Sequence, residues 1–243
     1  MLEGMYTAAA GMAAQQERLA ALSNDLANVN TTGYKRVRVA FRDLVYTPAG
    51  PGTAPGIQEG AGAAAKSVGR GAAQGALKRT DRLLDVALEG PGFIRVRNAD
   101  GGQVLTRDGA LQIDSQGRLV TNQGHLTGVT LPRGTAEGDV NIAANGAVTV
   151  GGRNAGSLDL VTVRANDGLA ANGDNTFSIT ASSGPAADGN GNVRVAQGAL
   201  EMSNVDVADA MADMIEAQRS FELASRAIRM HDQLLEIANG VKR

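Results

Sequence analysis

Few side chains in these 243 residues are equipped for covalent chemistry. There is no cysteine, which removes disulfides, thiolate metal ligands and a cysteine nucleophile. His125 and His231 are the only histidines, too few for a multi-histidine metal centre. The 25 acidic residues guarantee chance carboxylate pairs of the kind a glycan hydrolase uses, but no spacing singles out two of them. Gly60, Gly62, Gly69, Gly71 and Gly75 lack the Lys-Ser/Thr that completes a phosphate-binding loop. No catalytic, cofactor-binding or metal-binding residue is assigned, and no cofactor is expected. What remains is the chemistry of adhesion. Asn24, Asn28 and Asn30 are poor helix formers, and one reading is that their amides hydrogen-bond to another subunit. The plainer alternative is that all three only fray and cap a helix end. Lys35, Arg36, Arg38 and Arg42 form a basic run. Its ordinary meaning is a solvated face, and its functional alternative is an ion pair to another subunit. Nucleic-acid binding would need interleaved stacking aromatics, which the run lacks.

The elements that position these groups are legible from periodicity. Residues 3–29 read as a helix, with Met5, Met12, Leu19 and Leu26 seven apart, although Ala8 and Gln15 weaken the first half of the seam. Asn28, Asn30, Thr31, Thr32 and Gly33 mark its end, and Gly33 is expected to make a left-handed stop. Residues 204–238 repeat the pattern with Met214, Phe221, Ile228 and Leu235. Ala217, Ala224 and Ala238 beside that seam would let another helix approach closely. Ser203 or Asn204 is the expected cap, with Asp206 and Asp209 in the first turns. A narrow apolar stripe returns less than ordering a long helix costs, so both helices need neighbours. They can pair with each other or between subunits, and periodicity leaves both open.

Between the helices the pattern changes. Residues 34–46 suggest a strand or short hairpin, and 47–76 read as an extended or flexible segment rich in Gly, Ala and Pro. From 77 to 202 come short alternating runs such as Phe93-Ile94-Arg95-Val96-Arg97, separated by Asp100-Gly101, Asp108-Gly109, Gln116-Gly117, Asn145-Gly146 and Asp188-Gly189. They predict an antiparallel sheet or barrel-like body and, with the helical ends, an α+β chain. The domain boundaries expected are 1–30, 31–76, 77–202 and 203–243. Charge is nearly balanced, at 23 basic and 25 acidic residues, which supplies no strong field for nucleic acid or an anionic membrane. No run of 18 apolar residues predicts a membrane span. The N-terminus lacks the basic start and apolar core of a secretory signal, so work outside the cytoplasm would need another export route.

Particular residues carry the reading further. The run from Ser23 through Asn24-Asp25-Leu26-Ala27-Asn28-Val29-Asn30-Thr31-Thr32-Gly33-Tyr34 to Arg36 resembles the N-terminal signature of bacterial flagellar rod and hook proteins. Met5-Tyr6-Thr7-Ala8-Ala9-Ala10-Gly11-Met12 fits the same family. So do Glu201-Met202-Ser203-Asn204-Val205-Asp206-Val207 and Met214 to Glu222 near the far end. In the middle, Gln74 to Leu77 and Leu84 to Phe93 resemble the family's approach to its β domain, and Thr106-Arg107-Asp108-Gly109 its first hairpin. Gly56 to Gly62, Asp167-Gly168-Leu169 and Gly173 to Phe177 favour the distal section of the rod. Leu84-Asp85-Val86-Ala87-Leu88 is also at home in the proximal section, and the distal section is the one favoured.

The resemblance implies a non-enzymatic structural subunit of the flagellar basal body. Its end helices would form a coiled-coil-like inner tube, an extended hairpin would follow the first helix, and the β body would face outward. The implied partners are copies of itself, other rod and hook proteins, and the flagellar type III export apparatus, with no nucleic acid and no direct membrane insertion. The assembly interface implied comprises Met5, Met12, Leu19, Asn24, Leu26, Asn28 and Gly33 with Met214, Phe221, Ile228 and Leu235. A rival of another class is a soluble oligomeric binding module with a coiled-coil stalk and a β head.

Overall fold

The computed structural model describes residues 2–44, 47–48, 58–189 and 191–240. The chain divides into two compact units. One comprises Met1–Leu26, Val37–Val68 and Asp206–Arg243; the other comprises Ala27–Arg36 and Gly69–Val205.

The first unit holds both long helices. Helix α1 runs Leu2–Ala27, rich in Ala and free of Pro, so its backbone meets little entropic resistance to helix. Ala14 and Leu22 are its buried apolar positions. Helix α2 runs Val207–Gly240 and buries Ala210 and Ala217. The Arg18 guanidinium reaches Asp213 at 3.0 Å and Glu216 at 3.3 Å, which ties α1 to α2 through two acids one turn apart. A two-stranded ribbon of Val37–Asp43 and Ala63–Arg70 belongs largely to the same unit. Its second strand lies inside 47–76, where composition suggested no regular structure. Three consecutive alanines and two flanking glycines hide a strand from any apolar-alternation reading. Thr47–Pro48 and Gln58–Glu59 of that segment form a further short ladder, and 49–57 lie outside the described residues. Gly62, before that strand, sits where a Cβ would come within 3.0 Å of Ala10 Cβ and 3.2 Å of Thr7 Cα.

The cap of α2 also differs from expectation. Asp206, not Ser203 or Asn204, precedes the first helical residue, and its Oδ1 accepts from the amides of Ala208 at 2.8 Å and Asp209 at 3.2 Å. Asp206→Ala should therefore cost about 1 kcal/mol of α2 stability, with Asp206→Asn close to neutral. Amide hydrogen exchange at 208–212, measured where α2 is packed against other copies, checks this; equal protection in both variants would refute it.

The second unit is β-rich. Nine strands form one antiparallel sheet whose main path runs 170–173, 176–178, 103–106, 93–97, 126–130, 118–121 and 111–113. Strand 160–162 pairs with both 93–97 and 187–188. A three-stranded sheet joins 140–142, 147–150 and 153–157. Two ladders then bring the late chain back to the start of the body, 194–197 on 86–89 and 199–201 on 77–79. These are open sheets rather than a closed barrel. The core has two apolar clusters. The larger includes Leu84, Ile94, Leu111, Leu119, Val148 and Val195, and the smaller gathers Leu105, Val161 and Leu169 round the edge-to-face pair Phe93–Phe177.

The turn signals divide into two kinds. Gly117 and Gly146 do take left-handed φ, at 79° and 84°, in turns between neighbouring strands. At Gly117 the turn is fastened by Asp114, whose carboxylate accepts from the amides of Gln116 and Arg118. Those backbone donors, above all Arg118, hold the Asp114 carboxyl below the usual carboxylate range. Asp108-Gly109 is not a hairpin turn. It joins strands 103–106 and 111–113, which do not pair with each other. Gly109 is needed there for close approach, since a Cβ would fall 1.7 Å from the Val86 carbonyl oxygen.

Candidate assembly site

Within the second unit, three stretches far apart in sequence meet around one carboxylate. Glu201 ends strand 199–201 with its side chain fully buried. Its Oε1 accepts from Lys35 Nζ at 2.5 Å and from the Gly75 amide at 2.9 Å. Its Oε2 accepts from Arg107 Nη1 at 2.7 Å. Lys35 Nζ also donates to the Ala73 carbonyl at 2.8 Å, and Arg107 Nη2 to the Gly90 carbonyl. Arg107 further lies over the Phe93 ring, 5.6 Å from its centroid. Isolated buried charges are very costly, so this arrangement persists because each ion is paired and hydrogen-bonded.

The backbone closes round the same point. Gly33, at φ 68°, donates its amide to the Glu201 carbonyl at 2.7 Å. A Cβ on Gly33 would lie 2.6 Å from the Arg107 backbone, so both the conformation and the space demand glycine. Thr32 donates its hydroxyl to Asp108 at 2.7 Å, and the Asn175 amide donates to the Thr32 carbonyl at 2.6 Å. Asn204 accepts from the Arg36 amide at 2.7 Å and donates to the Ala73 carbonyl at 2.9 Å. Arg70 donates to the Lys35 carbonyl at 2.9 Å and lies over the Tyr34 ring at 4.9 Å. The stretches 32–36, 70–76 and 201–204 are thus stitched into one knot.

This corrects the reading of the basic run. Lys35 is not part of a solvated face; it is buried, and its partner lies in the same chain. Burial is the main force on its titration and pushes the ammonium pKa below the ordinary lysine range, against the opposing bond to Glu201. Between the lowered folded value and the ordinary unfolded one, the unfolded chain binds more protons, so through this group stability rises with pH. Below the folded value the cost of the buried ammonium is fully present. Lys35→Met should therefore flatten the alkaline part of the stability profile. Urea midpoints of both proteins measured from about pH 7 to about pH 10 test the slope, and parallel profiles would refute it.

In the first unit, Met5, Met12, Leu19 and Leu26 are half-buried, whereas the fully buried positions of α1 are Ala14, Leu22 and Asp25. The small Ala14 offers a closer approach than any seam methionine. Asp25 Oδ1 accepts from the Val37 amide at 3.0 Å. Asn24 is exposed on α1. Met214, Phe221 and Ile228 are half-buried on the side of α2 that carries Ala210 and Ala217; the Leu235 side chain lies outside the described residues. Asn28 and Gly33 fall in the second unit, where Asn28 accepts from the Thr31 hydroxyl at 3.1 Å.

Sequence reasoning missed a second apolar face on α2. Met211, Ile215, Leu223, Met230, Leu234 and Ile237 are each half or more exposed. At 3.6 residues per turn, Leu223, Met230, Leu234 and Ile237 share an arc of roughly 60°, about 150° round from the Ala217–Phe221–Ile228 stripe. Counting apolar residues at a second angular offset would have found it.

The matches to known proteins follow this geometry. Residues 5–35 match the family described as flagella basal body rod protein. Residues 87–150 match the flagellar hook protein FlgE/F/G D1 domain, and 196–241 the flagellar basal body rod FlgEFG protein C-terminal region. A flagellar basal-body rod protein FlgG of Borreliella burgdorferi is 39% identical, with all of both chains covered. The chain belongs to the flagellar basal-body rod family. Bacillus subtilis has two further relatives at 34% identity over the full length of both chains, a rod protein FlgG and a hook-basal body complex protein FlhP. Each of the three matched regions of this rod-family protein supplies one member of the buried ionic cluster: Lys35, Arg107 and Glu201. The protein is a structural component of the flagellar basal body, where it assembles with other rod and hook components.

Proposed function

We propose that this protein is a subunit of the distal rod, polymerising helically into a hollow shaft that transmits motor torque and passes exported subunits. The observation that carries the reading is the exposed apolar face of α2. A helix with one stripe of half-buried side chains and a second row of exposed Leu, Met and Ile is built to be covered twice. In a rod-family chain the covering surface is a neighbouring copy. The terminal helices, 1–30 and 203–243, then form a coiled-coil-like inner domain. Segment 31–76 serves as an extended hairpin, and 77–202 as the outer β-rich domain. The seam residues Met5, Met12, Leu19, Leu26, Met214, Phe221, Ile228 and Leu235, with Asn24 and Asn28, supply further contacts to neighbouring subunits. The distal position is favoured by full-length similarity to proteins named FlgG. Export proceeds through the flagellar type III apparatus, and the protein works without catalysis.

An electron cryo-microscopy map of the assembled filament tests this. The expected result is α1 and α2 lining the channel, with Leu223, Met230 and Leu234 against a neighbouring copy. A map with these helices on the outer surface would overturn it. In verified monomer, hydrogen exchange should show mobile ends and a protected β body; strong protection across 5–28 and 210–235 would count against the proposal.

A further inference from the structure

We propose that residues 199–205 are a latch that closes the second unit last, with Glu201 as its bolt. The first observation concerns what the latch leaves out. Every member of the two apolar clusters named above lies between residues 84 and 195. The hydrophobic core of the body can therefore form before 199–205 docks. The second concerns what the latch brings. Its strand pairs with 77–79 alone, over three residues, and apart from the buried Val205 it is anchored by hydrogen bonds and the two ion pairs of Glu201. Among the described residues Glu201 is the one carboxylate paired with Lys35 and with Arg107.

The third observation is distance along the chain. Lys35 and Glu201 are 166 residues apart, and Arg107 and Glu201 are 94 apart. Closing so long a loop is entropically costly until most of the intervening chain is already compact. With the latch open, Arg107 keeps its Gly90 carbonyl and Phe93 contacts inside the body. The Gly33 amide, the Tyr34 carbonyl and the Arg36 amide bond to Glu201 and Asn204, while Asp108, Asn175, Arg70 and Gly71 hold the same stretch independently of the latch. Opening thus releases 201–204 and exposes the amides of Gly33 and Arg36 that bond to it. The inference is independent of whether the helices polymerise.

Native-state hydrogen exchange on the full chain tests it. Glu201→Gln keeps the shape and removes the charge. The amides of Gly33, Arg36, Gly75, Met202 and Asn204 should exchange faster by on the order of a hundredfold or more. Those of Val86 and Arg95, bonded to Gly109 and Asp159, should change by less than about threefold. Adding Lys35→Met to Glu201→Gln removes one stranded cation and should recover at least about tenfold of the latch protection. Three results overturn the proposal: core and latch amides accelerating together, including global unfolding of the single variant; unchanged latch amides in the single variant; or no recovery in the double variant.

Discussion

Gly109→Ala should lose the β body while leaving both long helices with their native sequence. A methyl group at this position would fall 1.7 Å from the Val86 carbonyl oxygen and 2.8 Å from its carbon. No side-chain rotation relieves a clash with backbone. The Val86 amide donates to the Gly109 carbonyl at 3.0 Å, so strand 86–89 and the connection at Gly109 are bonded at the point that would have to open. Val86 belongs to the larger apolar cluster, and separation there propagates into Leu84, Leu88 and Leu111. Overpacking of a rigid contact costs about 1–3 kcal/mol, and this one also breaks a backbone hydrogen bond, so a loss of more than about 3 kcal/mol is expected. Urea unfolding followed by circular dichroism measures it. Gly138→Ala, where a Cβ meets nothing within 4 Å, is the matched control. A Gly109→Ala midpoint equal to that control would refute the argument.

The second large effect is on assembly. Leu223→Asp with Leu234→Asp places two carboxylates on the exposed face of α2, where the parent side chains are 65% and 61% exposed. Nothing in the monomer is lost, so the unfolding free energy of the body in urea should change by less than about 0.5 kcal/mol. In the polymer, each buried Leu is worth about 1.5–3 kcal/mol and each new charge must be desolvated. The critical concentration for polymerisation should rise at least about a hundredfold, read by sedimentation of filaments. Phe221→Ala is the informative companion. It is half-buried on the other side of the helix and should impair assembly more than body folding. Unfolding of 80–200 in that variant would place the Phe221 seam in an intrachain core. Normal polymerisation of the double Asp variant would show that the exposed face is not an interface.

The helices were legible because their signals are local: alanine content, seven-residue spacing and the Asn-Thr-Gly stop are all read within about thirty residues. The strands were legible from alternation, and Gly117 and Gly146 from their partners in the dipeptide. The ribbon strand at 63–70 escaped because Ala63, Ala64 and Ala65 carry no apolar alternation to read. The ionic cluster escaped for a different reason. Lys35 sits in a run of basic residues that reads as a solvated face, and Glu201 looks like any acid at a strand end. Nothing local distinguishes them, since the property that makes them special is a partner 166 residues away. Asp108-Gly109 is the instructive misreading. The dipeptide marks a tight turn by its conformational freedom, but here glycine is used for its lack of a side chain.

The contact of Gly62 with Thr7 and Ala10 has a consequence for how this chain tolerates change. Ala10 Cβ and the Thr7 backbone stand at 3.0 Å and 3.2 Å from where a Gly62 side chain would begin. Neither partner can retreat without moving the α1 backbone. In a saturation library, position 62 should accept almost no substitution, and position 10 little beyond glycine and serine. Gly4 and Gly11, where an added Cβ meets nothing within 4 Å, should accept alanine freely. Selection would then act along α1 in a sawtooth, with neighbouring small residues under opposite constraint according to whether they face the ribbon.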